Sequence, residues 1–142
     1  MIKYPISFYA LAESTPGIQS QWTIESQNIG SHCAVPPEFE GPGGGLSPED
    51  LFAQALTGCF IATFKVYAEK SKIYFSQLHV KTELVVDTNE AKKPIMKKCS
   101  LLVSIAGCEN PERVKMLAEK AFSSGFILNS VKTELTMELQ FV

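Results

Sequence analysis

The feature that most constrains this chain is a backbone break running straight into a long apolar helix. Residues 36–45, Pro-Pro-Glu-Phe-Glu-Gly-Pro-Gly-Gly-Gly, hold three prolines and four glycines, a composition that neither a helix nor a central strand accepts. They read as a shaped loop, with a flexible linker as the bland alternative in a chain too short to need one. Ser47 then stands as a natural N-cap and Pro48 suits the first helical position. Glu49 and Asp50 favour the positive end of the helix dipole, and Asp50, three residues after Ser47, makes a loose capping box. From Leu51 to Ala68 the segment is apolar nearly all round, and Lys65, Glu69, Lys70 and Lys72 mark its emergence into water. A helix with so little polar face belongs inside a protein or an interface.

Strands with strict alternation follow. Leu78, Val80, Thr82, Leu84 and Val86 share one face, and Cys99, Leu101, Val103 and Ile105 share a face of the next. A second helix begins at Asn110-Pro111-Glu112, carries one apolar stripe (Val114, Leu117, Ala118, Ala121) and meets a stop at Gly125. The last alternating run is Val131 to Phe141. The N-terminal third also reads as strands, around Ile6 and Phe8 and around Trp22 and Ile24. Strands, buried helix, strands, helix, strand: the fold class is α+β, with helices packed on antiparallel sheet.

The 142 residues suit one domain, 1–142. At 45% hydrophobic and 20% charged the chain has the balance of an ordinary soluble protein. A formal net charge of −2 gives no footprint for nucleic acid. The N-terminus lacks the pattern of a signal peptide, and no apolar run approaches the ~20 residues that span a bilayer, so no membrane partner is expected. Cys33, Cys59, Cys99 and Cys108 show no CxxC spacing, and His32 and His79 stand far apart. Neither a metal nor another cofactor is therefore expected. The expected setting is the cytoplasm, with reduced thiols.

The stretch from Pro37 to Cys59, a Gly/Pro-rich loop running into Ser47-Pro48-Glu49-Asp50-Leu51 with a cysteine ten residues beyond Glu49, resembles the hallmark of the OsmC/Ohr family. Ala118-Glu119-Lys120-Ala121 and Asn129-Ser130-Val131-Lys132 match near the C-terminus. The resemblance covers essentially the whole chain. It implies an OsmC-like fold, with sheets around a long buried central helix, and an intertwined homodimer with its sites at the subunit interface. It also implies reduction of organic hydroperoxides by a central-helix cysteine, with a second cysteine after the second helix resolving the sulfenic acid and a glutamate and an arginine in support. Carried over, the attacking cysteine is Cys59 and the glutamate Glu49. The resolving position falls at Gly125 or its neighbours Ser123 to Phe126, where there is no thiol. No arginine precedes Arg113, the only one in the chain.

Peroxide reduction needs a thiolate, and a free cysteine, with a pKa of roughly 8.5, is only slightly ionised at neutral pH. Ten residues of helix rise about 15 Å, so Glu49 could assist Cys59 only from the other subunit; its plain alternative is a helix-start carboxylate. Lys65 is a substitute cation only if a partner's copy comes near. Recycling would fall to Cys33 or Cys108, both of them candidate resolving thiols, or to an external thiol; Cys99 reads as packing. A lone cysteine on an apolar helix is usually core, which is the plain reading of Cys59. Phe52, Phe60 and Phe64 are candidates for the wall of an apolar pocket, with core packing the plainer reading for most of them. Two functions follow: a thiol-dependent peroxidase acting on organic hydroperoxides, or a non-catalytic dimeric binder of an apolar small molecule.

Overall fold

In the computed structural model, which describes residues Met1–Val142, the capping box at Ser47 closes from both sides. The Asp50 N–H donates to Ser47 Oγ at 3.0 Å, and the Ser47 N–H and hydroxyl donate to Asp50 Oδ2 at 2.8 and 2.9 Å. The chain divides into two compact units, Met1–Leu51 and Phe52–Val142.

The first unit holds a three-stranded antiparallel sheet, β1 (Leu11–Glu13), β2 (Trp22–Ser26) and β3 (Ile29–Cys33). Gln27 and Asn28, both at positive φ, form the two-residue turn between β2 and β3, a turn whose twist suits a hairpin. The strand expected around Ile6 and Phe8 is not formed: residues 1–10 are exposed and lie in no strand. Alternation supplies a face, but a strand also needs a neighbour to pair with, and the sheet begins only at Leu11. The Pro/Gly stretch is a tied loop containing a short 3-10 turn, Pro37–Phe39. Its ends are joined by Ala34 N–H to Leu46 O and Leu46 N–H to His32 O. Gly41 is required there, because a Cβ would stand 2.1 Å from Val35 O.

Helix α1 runs from Pro48 to Lys70, beginning in the first unit and continuing through the second. In the second unit it packs with β4 (Gln77–Thr88), β5 (Pro94–Ala106), α2 (Pro111–Ser124) and β6 (Glu134–Phe141). β4 pairs antiparallel with β5, with a bulge at Val85/Val86. β5 pairs with β6 in parallel, which corrects the expectation of a wholly antiparallel sheet. Parallel neighbours need a crossover of a dozen or more residues, and α2 supplies it.

The core lies between one stripe of α1 and this sheet. Leu56, Phe60, Phe64 and Ala68 are buried at four-residue spacing against Cys99, Leu101, Val103 and Ile105 of β5 and Val114, Ala118 and Ala121 of α2. Phe60 stacks on Phe64 with centroids 5.9 Å apart, and Phe64 meets Phe75 at 5.4 Å. Burial all round α1 is not what this chain has: Cys59, Thr63 and Tyr67 are half-buried, and Ala62, Lys65 and Val66 are exposed. With 23 residues, α1 is long and apolar enough to cross a bilayer by length and composition alone. This corrects the expectation that no segment passes that test. Core helices also pass it, and the Leu56–Ala68 stripe is core.

Candidate functional site

Cys59 faces the far end of α2. That helix starts where the sequence places it: the Asn110 side chain accepts from the Arg113 N–H and Pro111 takes the first turn. It ends at Ser124, with the Gly125 N–H closing on Ala121 O. The chain then folds back on itself. Asn129 N–H donates to Gly125 O at 2.8 Å, Ser130 N–H to Ile127 O at 3.0 Å, and the Ser130 hydroxyl to Phe126 O at 2.6 Å. The Ile127 N–H is left over by this pattern, as donors at the start of a short helix are. It donates to Cys59 Sγ at 3.3 Å.

Gly125 lies directly against the same sulfur, where a Cβ would stand 2.8 Å from Cys59 Sγ. Its φ of −56° is open to any residue, so close approach, and not backbone conformation, is what favours glycine. The structure thus brings Cys59 together with the position to which the resemblance assigned a second thiol, and sets a backbone donor beside it.

The same face of α1 continues as Thr63 and Tyr67, four and eight residues on. The Thr63 hydroxyl donates to Cys59 O at 2.7 Å. Tyr67 Oη shares a hydrogen bond of 2.7 Å with Ser124 Oγ, which also donates to Lys120 O. The Lys120 ammonium sits 4.7 Å from the centre of the Tyr67 ring, a cation–π contact. This polar seam between α1 and the last turn of α2 was not anticipated from the sequence. The i, i+4, i+8 spacing from Cys59 was a usable signal for Thr63 and Tyr67. Nothing in residue types points to the Ile127 amide.

The other expected residues fall elsewhere. Phe60 and Phe64 are fully buried in the core, so in this chain neither ring offers a face to a ligand; Phe52 is half-buried and packs on the same core. Glu49 is the second residue of α1, half-buried, and carries no salt bridge, since the single ion pair is Lys115–Glu119. Lys65 is exposed. Cys33 is buried at the end of β3 in the first unit. Cys99 is buried on the core face of β5, and burial pushes its thiol up from its ordinary value. Cys108 is half-buried just before α2. Because α2 has 14 residues and so spans about 21 Å, Cys108 and Gly125 lie at opposite ends of it. A disulfide needs Cα atoms within about 7 Å, so Cys108 does not reach the sulfur of Cys59 while α2 is intact.

Among known proteins, residues 41–140 match the family model described as OsmC-like protein. YmaD of Bacillus subtilis, an uncharacterised protein, is 26% identical over 137 residues, which cover 94% of this chain and 91% of that one. An OsmC-like protein of unknown function from Vibrio cholerae has the same fold, with a TM-score of 0.84 at 19% identity over 96% of this chain and 100% of that one. An organic hydroperoxide resistance protein from Elizabethkingia anophelis superimposes with a TM-score of 0.74 at 20% identity, covering 99% and 98% of the two chains.

Proposed function

The chain belongs to the OsmC-like family, and on that premise we propose that it reduces organic hydroperoxides with Cys59 as the attacking thiol. The observation that carries this reading is the setting of Cys59. It is the one cysteine on α1, half-buried, with a backbone N–H donating to its sulfur and Gly125 pressed against it. A donor at that place stabilises negative charge on sulfur, which is the task an arginine would otherwise perform. The thiolate attacks one peroxide oxygen, an S–O bond forms and the O–O bond breaks. The alkoxide leaves and takes up a proton, and Cys59 becomes a sulfenic acid. The organic hydroperoxide resistance protein of Elizabethkingia anophelis, which shares this fold, supports the choice of substrate.

In this reading the protein acts in the cytoplasm as a homodimer of single OsmC-like domains, and an external thiol returns Cys59 to its reduced state. The half-buried and exposed apolar positions of α1 and the exposed Ile2, Tyr4, Phe8 and Tyr9 of the first unit support the dimer, since such surface is usually covered. Glu49 then serves the Cys59 of a second subunit.

The test is consumption of cumene hydroperoxide with dithiothreitol as reductant. Wild type should turn over, and Cys59→Ser should fall to the uncatalysed background. Equal rates in the two proteins would remove the peroxidase reading. One observation favours the rival, a non-catalytic binder of an apolar small molecule: a glycine stands where a second thiol would resolve the sulfenic acid. That protein would consume no peroxide and would hold its ligand equally well as Cys59→Ser.

A further inference from the structure

A peroxidatic cysteine without a resolving thiol leaves its sulfenic acid open to further oxidation. The group that lies against the sulfur of Cys59 is an amide: the Ile127 nitrogen, 3.3 Å away with its hydrogen directed at Sγ. We propose that oxidised Cys59 is closed off by the backbone nitrogen of Ile127 as a sulfenyl amide linking residues 59 and 127. This rests on the proposed reading that organic hydroperoxides oxidise Cys59.

Condensation of a sulfenic acid with a backbone nitrogen is one of the two reversible exits from that oxidation state, the other being a disulfide. Three features favour the nitrogen. First, the alignment is right. When an amide gives up its proton, the in-plane electron pair occupies the direction of the former N–H bond, so the geometry of the hydrogen bond also aims those electrons at sulfur. Second, the nitrogen is free of other work: the turn after α2 is held by the amides of Gly125, Asn129 and Ser130, with that of Ile127 left over. Third, the turn has room to close. Phe126 and Ile127 are 72% and 43% exposed, and Gly125 presents no side chain between the turn and the sulfur. A disulfide is disfavoured for separate reasons, with Cys33 and Cys99 fully buried and Cys108 at the far end of α2.

The chemistry balances. The hydroperoxide oxidises sulfur by two electrons and leaves as an alcohol. The Ile127 nitrogen then attacks sulfur, an S–N bond forms and the S–O bond breaks. The amide proton and the departing hydroxide become water, with no further redox change. An external thiol attacks the sulfur of the S–N bond, nitrogen recovers a proton, and a mixed disulfide results. A second thiol releases Cys59 and leaves as the external disulfide.

The experiment is mass spectrometry of the reduced protein after one equivalent of cumene hydroperoxide, with dimedone in a parallel sample to trap sulfenic acid. Wild type should lose the mass of two hydrogens, and its digest should hold a cross-link between the peptides of Cys59 and Ile127 that dithiothreitol abolishes. Cys33→Ala/Cys99→Ala/Cys108→Ala should keep the mass loss; mapping of the wild-type digest gives the same answer should that variant fold poorly. A proline here would drive its Cδ into Cys59 Sγ, because the N–H it replaces points at that sulfur; replacing Ile127 by its α-hydroxy acid, which puts an ester oxygen in place of the amide nitrogen, removes the N–H and adds no atom toward the sulfur. This ester variant should lose the cross-link and show severalfold more dimedone adduct or sulfinic acid at Cys59, while Ile127→Ala behaves as wild type. Equal trapping of sulfenic acid in wild type and the ester variant, with no mass loss, would overturn the proposal and leave the peroxidase reading standing. No oxidation of Cys59 in any variant would remove both.

Discussion

Cys59 and Cys99 belong to the same helix–sheet packing in the second unit and differ in almost every respect that matters for chemistry. Cys99 points into the core with Leu101, Val103 and Ile105, and burial favours its neutral thiol. Cys59 sits one face away on α1, half-buried, against a backbone donor and beside the polar groups of Thr63, Tyr67 and Ser124. One face of α1 is therefore built for stability and the adjacent one holds a sulfur in a polar, partly accessible seam. Residue type alone does not separate two such thiols; the face of the element does.

The largest effect should come from the stability face. Phe60→Ala or Phe64→Ala empties the stacked core and should cost about 3–5 kcal/mol, measured by chemical denaturation. Cys59→Ala should cost far less. Similar losses at Phe60 and Cys59 would erase the distinction between the two faces. Next is Gly125→Ala, whose new Cβ meets Cys59 Sγ at 2.8 Å; overpacking of this kind costs about 1–3 kcal/mol. The penalty should largely disappear in the Cys59→Ala background, because contacting residues couple. Additive losses would mean that the Gly125 turn and the sulfur are not in contact.

Smaller still, Ser47→Ala removes the capping box on which both faces of α1 depend and should lower stability by about 1 kcal/mol. The relative alkylation rates of Cys59 and Cys99 should not change. The smallest effect is that of pH. Cys99 has a raised value in the folded protein, so its contribution to stability is intact below the ordinary thiol value and is lost as pH rises through the folded one. Wild type should lose slightly more stability than Cys99→Ala above that point. The reverse order would place Cys99 outside the dry core.

Much of the fold was legible wherever a local rule settled the outcome. Ser47 with Asp50 and Asn110 with Pro111 gave both helix starts, and the alternation of β4 and β5 gave the correct inward faces. The face of α1 was not legible, because a helix apolar nearly all round carries no stripe for periodicity to find. The parallel β5–β6 pairing was hidden because alternation marks a strand's faces and says nothing of its neighbour's direction. For the site, Cys59 and the significance of Gly125 were readable through the family motif. The Ile127 amide was not, since every residue other than proline carries an N–H and only the fold decides which one is left unpaired beside a sulfur.

The most direct test of the central claim is to give reduced wild-type protein one equivalent of cumene hydroperoxide, quench within seconds, and count the free thiols at each of the four cysteines by labelling and peptide mapping. Cys59 alone should lose its label, with Cys33, Cys99 and Cys108 unchanged. A Cys59 that still labels fully, whether or not another cysteine has been consumed, would contradict the account.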